Sequence, residues 1–244
     1  MKGISSKIKC LNGEPFYIII ENLEALIPSA QQENIDQLMA ICEEKKIQKL
    51  SVVLKTERAF VEKAERLLRE NHFVYESSML IFQKNLESLE EAEIPFQIRD
   101  LEEVGEKGFI SIWQKVIEGS YNKPSSLTIE EQFEGMKKEI GPAYAHACLT
   151  VYDESKPIGI MIPVIEPGTE DEGRIFYFGI IPDARGKGIA VMIHRKALDY
   201  LKKSGASYYI GATDKKNIPM QSIFKKNGCI QKGSLKTFAY HYNA

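Results

Sequence analysis

Residues 175–190 read IFYFGIIPDARGKGIA, an apolar strand that ends at a Pro-marked turn and continues into a glycine-spaced loop and a helix. The first N–H groups of a helix have no intrahelical partner and lie at the positive end of the helix dipole. Gly186 and Gly188 remove the side chains that would hold an anion away from these groups, and Arg185 and Lys187 add positive charge. The stretch therefore predicts a diphosphate site.

The nucleotide-binding patterns do not fit this loop. The chain lacks GxxxxGK[ST]. A dinucleotide fingerprint needs a third glycine, where this chain has Val191, and an acidic residue at a strand end about twenty residues further on. That acidic residue is missing too. We therefore do not expect a nucleoside triphosphate or a dinucleotide in the loop.

The pattern that fits is Arg-x-x-Gly-x-Ala after a strand, which resembles the acetyl-coenzyme A loop, [RQ]-x-x-G-x-[GA], of the GNAT N-acetyltransferase superfamily. The order of elements downstream is similar to that family as well. A helix is predicted at 189–203, a strand at 208–212, and a second helix at 218–227 that begins after Asn217 and ends at Gly228. The resemblance extends from Ile94 to the C-terminus.

The order of elements upstream of the loop also follows the family. The sequence predicts a strand at 96–98, helices at 104–117 and 128–140, and a hairpin of strands 147–152 and 157–165. The resemblance implies an α/β (α+β) fold, a mixed, mostly antiparallel GNAT-type sheet flanked by helices. The acidic segment 85–95 is predicted to be a linker, so the GNAT domain is expected at 94–244.

The first part of the chain resembles the second, which predicts a tandem-domain protein. Residues 27–30 match 181–184, and in both copies a helix, a Lys-rich turn, an apolar strand and a helix follow. We predict a second, smaller, partial GNAT-like α/β domain at 1–88. It is degenerate, because Gln31–Asn34 replace the loop residues 185–188 and Val61 stands in the place of Asn217. Chance similarity of two α/β segments is the alternative.

The resemblance implies transfer of an acetyl group from acetyl-CoA, the co-substrate, directly to an amine. It assigns a thioester-polarising backbone N–H to Ile180 or Ile181. It further assigns cofactor binding to Arg185, Gly186, Lys187, Gly188, Ile189, Ala190, Asn217 and Phe224. Phe224 stands where many relatives have a tyrosine that protonates the leaving thiolate, and phenylalanine cannot donate a proton.

Several side chains are candidates for the remaining chemistry. Tyr177 is a candidate acid, and Asp214 and Glu172 are candidate bases. Trp113 and Tyr121, beside a predicted loop at 118–126 that roofs the acceptor site, could stack on the acceptor, although a core position is the alternative for Trp113. His194 is predicted to lie at the surface or in a groove.

The amino-acid composition limits the kinds of partner and the location expected for the chain. The chain has 32 Lys and Arg against 34 Asp and Glu, so neither a nucleic-acid surface nor a membrane surface is expected. The four cysteines and four histidines lack metal-site or disulfide spacing, so no metal is expected. The absence of a signal peptide or a spanning segment predicts a cytoplasmic location.

Together these features predict an N-acetyltransferase that acts on the primary amine of a small molecule. A homodimer is compatible with them. The alternative is a non-catalytic acetyl-CoA-binding sensor or scaffold, because Phe224 replaces the usual acid and the strand before the loop lacks a carboxylate.

Overall fold

A computed structural model describes residues 9–21, 31–57, 61–121 and 125–242. Residues 27–30 of the repeat and 122–124 of the predicted roof lie outside the described residues. The strands are β1 Lys9–Gly13, β2 Tyr17–Glu21, β3 Lys49–Lys55, β4 Val74–Asn85, β5 Gln97–Arg99, β6 Leu149–Asp153, β7 Lys156–Ile165, β8 Glu172–Ile180, β9 Tyr208–Asp214 and β10 Ile230–His241. The helices are α1 Gln31–Glu44, α2 Val61–Glu70, α3 Leu101–Val104, α4 Glu106–Ile117, α5 Ile129–Ile140, α6 Tyr144–Ala147, α7 Ile189–Lys203 and α8 Ile218–Lys226.

The described residues form two compact units. Unit 1 contains the residues up to Leu80, Glu134–Glu139 and residues 233–242, and unit 2 contains Ile81–Phe133 and Ile140–Lys232. Unit 1 thus includes two segments from distant parts of the chain, namely Glu134–Glu139 of α5 and the end of β10, and the boundary between the units falls within β4. The division into domains at 1–88 and 94–244 stays a prediction.

Unit 1 contains a sheet in the order β1-β2-β3-β10. Strands β1 and β2 form an antiparallel hairpin, β2 is parallel to β3, and β10 returns antiparallel to β3. Apolar residues of α1, α2 and the strands, among them Leu38, Leu68, Ile18 and Leu50, form one buried cluster. The apolar strand predicted at 50–54 is confirmed as β3, and α1 and α2 are the helices predicted on either side of it.

Unit 2 contains a sheet in the order β4-β9-β8-β7-β6-β5. The pairs β5–β6, β6–β7 and β7–β8 are antiparallel, whereas β8 and β9 run parallel. The predicted mixed, mostly antiparallel sheet is therefore confirmed. Ile193 and Ala197 of α7 are buried in a cluster that includes Val151, Met161 and Ile180 of the sheet. The helix predicted at 104–117 corresponds to α4, which begins two residues later and ends at the same residue, and the short helix α3 precedes it.

The segment predicted to be a linker is a packed part of unit 2. Its apolar side chains Leu86, Leu89 and Ala92 are buried. Lys202 Nζ of α7 donates to the carbonyls of residues 87 and 89, at 2.8 and 2.7 Å, and Lys196 Nζ donates to the carbonyl of Ala92 at 2.8 Å. The acidic composition of the segment concealed this packing, because the groups that hold it are its backbone carbonyls and its spaced apolar side chains.

Candidate active site

A cavity of about 540 Å³ lies in unit 2, within the range typical of small-molecule sites. Four segments line it, namely residues 116–121, the end of β8, the glycine loop with the start of α7, and the start of α8. The cavity brings together ten of the predicted site residues: Tyr121, Tyr177, Ile180, Arg185, Gly186, Lys187, Gly188, Ile189, Ala190 and Asn217.

The glycine loop has the backbone geometry of an anion cradle. Gly186 and Gly188 have φ values of 76° and 77°, which non-glycine residues rarely adopt, and the space around a Cβ at either position is open. Within the described ranges, no group accepts a hydrogen bond from the backbone N–H of Gly186, Lys187 or Gly188. These N–H groups precede the first turn of α7, so the loop offers unpaired donors to an anion.

Strands β8 and β9 separate beside the cavity. Their pairing consists of two residue pairs, Glu172 with Tyr208 and Gly173 with Tyr209. Beyond these pairs β8 continues to Ile180 and β9 to Asp214. The divergence leaves an edge of β8 unpaired with β9 along the part that lines the cavity, so this edge can bind an extended ligand through its backbone groups.

The register of β8 decides which backbone N–H faces the cavity. The N–H of Ile181 donates to the carbonyl of Ile158 on β7 at 2.9 Å. Since successive N–H groups of an extended chain point to opposite edges, the N–H of Ile180 points to the edge that lacks a partner in β9. Of the two predicted polarising donors, the structure therefore leaves Ile180 available, and Ile181 is not among the residues that line the cavity.

The Arg185 side chain joins the glycine loop to two other cavity segments. Its Nε donates to the carbonyl of Ile180 at 2.9 Å, and its terminal nitrogens donate to the carbonyls of Val116 at 2.8 Å and Gly119 at 3.1 Å. Val116 and Gly119 lie at the end of α4 and just after it. The fork of guanidinium donors thus holds the end of α4, the end of β8 and the loop in a fixed arrangement.

Aromatic packing supports the wall of the cavity at Tyr177. The Trp113 and Tyr177 rings lie 5.0 Å apart, and Trp113 also contacts Phe109 at 6.0 Å. Trp113 is 1% exposed and does not line the cavity, so the alternative position in the core is the one it takes. Its indole N–H has no acceptor among the described residues, which is consistent with an apolar packing role.

Neither candidate base lines the cavity. Asp214 at the end of β9 accepts from the backbone N–H of Lys216 at 2.7 Å, so its carboxylate is bound within the turn before α8. Glu172, at the other end of β8, is paired with Arg174 at 2.6 Å and accepts from the Tyr208 hydroxyl at 3.0 Å. The direction of β8 places Glu172 away from the site, whereas Asp214, on a strand parallel to β8, is kept out of the lining by its turn.

Phe224 and His194 belong to the core. Phe224 is 2% exposed, does not line the cavity, and contacts the His194 ring at 5.4 Å. The prediction that His194 lies at the surface or in a groove is wrong, because its side chain is completely buried. Its Nδ1 accepts from Asn227 Nδ2 at 3.0 Å, and its Nε2 lies 3.4 Å from the Tyr209 hydroxyl. Its ring also contacts Phe178 of β8.

Burial of His194 predicts a loss of stability in mild acid. Burial lowers the pKa of His194 to about 3, against about 6.5 in an unfolded chain. Between these values the unfolded chain binds the proton and the folded chain does not, so stability falls with decreasing pH by about 1.4 kcal/mol per unit. We expect urea titrations to show this slope below about pH 6.5 and a shallower slope for His194→Gln.

An exposed histidine provides the control for this prediction. His146 lies at the surface, so His146→Gln should leave the dependence of stability on pH unchanged. An equal slope in the wild type and in His194→Gln would contradict the assignment of the acid sensitivity to His194.

Sequence reasoning missed several residues of the site. Val116, Gly119 and Gly179 line the cavity, and the first two provide the carbonyls that bind Arg185. A Cβ at Gly179 would lie 2.2 Å from Val116 Cγ1, so the glycine permits the close approach of α4 to β8. An isolated glycine in the apolar run FYFGII was the available signal, because glycine inside a strand often marks such an approach.

The described part of the chain has neither a metal-binding cluster nor a membrane-spanning helix. Residues 9–21, 31–57, 61–121 and 125–242 contain no group of three or more His, Cys, Asp or Glu side chains placed to hold a metal ion. Within the same ranges no helix has both the length and the apolar character needed to cross a bilayer.

Comparison with known proteins supports the GNAT resemblance. Residues 111–229 match the model of the Acetyltransferase (GNAT) family. The fold is similar to a GCN5-related N-acetyltransferase from Sphaerobacter thermophilus, with a TM-score of 0.59, 13% identity, and coverage of 96% of this chain and 76% of that one. A GNAT-family acetyltransferase from Colwellia psychrerythraea aligns with a TM-score of 0.55 and 14% identity over 96% of this chain and 81% of that one.

A tandem GNAT protein from the clavulanic acid biosynthesis pathway has a similar fold too. Its TM-score is 0.57 at 6% identity, with 95% of this chain and 77% of that one covered. The predicted fold class, a GNAT-type sheet with a second α/β domain, is confirmed by these similarities. The fold is that of GNAT proteins. Residues 111–229 form a GNAT acetyltransferase domain, and this family transfers acetyl groups from acetyl-CoA.

Proposed function

We propose that this protein transfers the acetyl group of acetyl-CoA directly to the primary amine of a small molecule. The proposal rests on one observation, namely that three features suited to binding and acetyl transfer line the same cavity. The unpaired N–H groups of residues 186–188, the unpaired edge of β8 and the hydroxyl-bearing residues Tyr121 and Tyr177 all border the same space. A cofactor with a diphosphate at one end and a reactive thioester at the other fits this order of features.

The loop and the start of α8 would bind the cofactor. The N–H groups at the start of α7 suit the diphosphate, and the exposed ammonium of Lys187 adds charge beside them. Asn217 begins α8, where its Oδ1 accepts from the N–H of Met220 at 3.1 Å, and it lines the cavity beside the loop. The edge of β8 would bind the pantetheine arm through backbone hydrogen bonds.

The N–H of Ile180 would polarise the thioester carbonyl. It lies at the end of the unpaired edge, and its contribution does not depend on the side chain. During transfer the amine nitrogen bonds to the acetyl carbon, the carbon–sulfur bond breaks, and the proton lost by the amine ends on the thiol of coenzyme A. Tyr177 lines the cavity on the same strand and is the candidate group for passing that proton to sulfur.

Thiol release tests the proposal. Purified protein is incubated with acetyl-CoA and a library of small amines, and free coenzyme A is detected with a thiol reagent. Amine-dependent release, with the acetylated amine identified by mass spectrometry, supports acetyl transfer. Tight binding of acetyl-CoA without release for any amine would contradict it and would favour the non-catalytic sensor or scaffold.

The stoichiometry of binding follows from the two units. The first turn of α1 contains Gln31–Asn34, which include no glycine or basic residue, so the described residues of unit 1 do not repeat the features of residues 185–188. We expect calorimetry to give one acetyl-CoA per chain. Two equivalent sites would contradict a degenerate first domain. The small-molecule acceptor, the cytoplasmic location and the homodimer stay predictions.

A further inference from the structure

On the acceptor side of the cavity, the described residues contribute hydroxyls and aromatic rings but no carboxylate. Residues Val116, Gly119, Ser120, Tyr121 and Tyr177 form this part. Among the described residues that line the whole cavity, the charged side chains are Arg185 and Lys187, both positive.

The acids nearest along the chain do not change this charge balance. Glu118 precedes Gly119 but is exposed and does not line the cavity. Asp214 and Glu172 have the partners described above and also lie outside the lining. A protonated amine in the acceptor part would therefore find no carboxylate counterion among the described residues that line the cavity, which is unfavourable for a desolvated charge.

An aliphatic amine poorly suits such a site. Its pKa is near that of lysine, about 10.4, so at neutral pH about one molecule in 2,500 is uncharged. A carboxylate at the site would favour such amines, because it could bind the ammonium and accept its proton. An aromatic amine is uncharged at neutral pH, because its nitrogen lone pair is delocalised into the ring. It can enter and react without a base.

The aromatic side chains of Tyr177 and Tyr121, which line the cavity, also favour an aromatic amine as the acceptor. Tyr177 is fixed by its contact with Trp113 at 5.0 Å, and Tyr121 is 64% exposed. Offset or edge-to-face contacts with these rings would stabilise an aromatic ring in the acceptor. We infer that the acceptor of this acetyltransferase is a weakly basic amine attached directly to an aromatic ring, an arylamine. This inference rests on the proposed acetyl transfer.

Two isomeric amines of equal size test whether the basicity of the acceptor nitrogen decides the rate. In 4-methylaniline the nitrogen is on the ring, and in benzylamine one carbon separates it from the ring. Both have the same atoms. At pH 7 we expect kcat/KM to be at least about tenfold higher for 4-methylaniline. Its kcat/KM should be flat between about pH 6 and pH 8, whereas that for benzylamine should rise about tenfold per pH unit as free amine forms.

The outcomes distinguish this inference from the proposed function. Thiol release that favours benzylamine at pH 7, or a flat profile for benzylamine, would overturn the arylamine assignment and leave acetyl transfer intact. If protein that binds acetyl-CoA releases no thiol with the two isomers and with every other amine of the library, both the arylamine assignment and the proposed acetyl transfer are overturned.

A charge placed in the cavity provides a second test. Tyr121 is exposed, so Tyr121→Glu and its uncharged control Tyr121→Gln should both fold. The new carboxylate would supply the missing counterion, and we expect kcat/KM for benzylamine at pH 7 to be about tenfold higher in Tyr121→Glu than in Tyr121→Gln. Equal values in the two variants would contradict the charge explanation.

Discussion

Gly188→Val is expected to bind acetyl-CoA at least about a hundredfold more weakly than the wild type, because two or more charge-assisted hydrogen bonds are lost. Gly188 has a φ of 77° at the start of α7, and a Cβ there would project into the open space beside the unpaired N–H groups. The valine side chain would occupy the volume proposed for the diphosphate. Calorimetric titration with acetyl-CoA measures the effect.

Gly168 is a matched control for backbone strain. It has a φ of 83° in the turn between β7 and β8, the space around its Cβ is also open, and it does not line the cavity. Gly168→Val should lose a similar amount of stability, about 1–3 kcal/mol, and keep the affinity for acetyl-CoA. If folded Gly188→Val binds as tightly as Gly168→Val, the assignment of the loop as the diphosphate site is wrong.

Arg185→Ala is expected to raise the KM for acetyl-CoA by about tenfold or more and to lower the free energy of unfolding by about 2 kcal/mol. The guanidinium donates to the carbonyls of Ile180, Val116 and Gly119, and removing it frees the loop from both β8 and the end of α4. Steady-state kinetics and urea unfolding measure the two effects. A larger fall in kcat than in affinity would place Arg185 in the chemistry instead.

Two further variants distinguish a geometric role of Arg185 from a purely electrostatic one. Arg185→Lys keeps the charge but lacks the planar fork, so it should not restore KM. Lys187→Ala removes an exposed charge from the same loop and should weaken binding slightly, in a salt-dependent manner, without changing stability. Full rescue by Arg185→Lys would show that the charge alone matters.

The sequence by itself determined the elements around the loop, because local signals fix them. The helix predicted at 189–203 has the same bounds in the structure, and the helix predicted at 218–227 ends one residue earlier. Glycines that need positive φ and an N-cap asparagine act within a few residues of the chain. The resemblance to the GNAT family, and not these local signals, predicted that the loop residues 185–190 and Asn217 serve one site, and in the structure both line the same cavity.

The tertiary structure decided how those local elements are used. It separated β8 from β9, left the N–H of Ile180 rather than Ile181 unpaired by β7, and kept Asp214 out of the cavity. It also completed unit 1 with the end of β10 and part of α5, which are distant in sequence, and buried His194 among aromatic rings. These outcomes depend on strand register and on contacts between residues far apart in sequence, which periodicity and motif spacing do not encode.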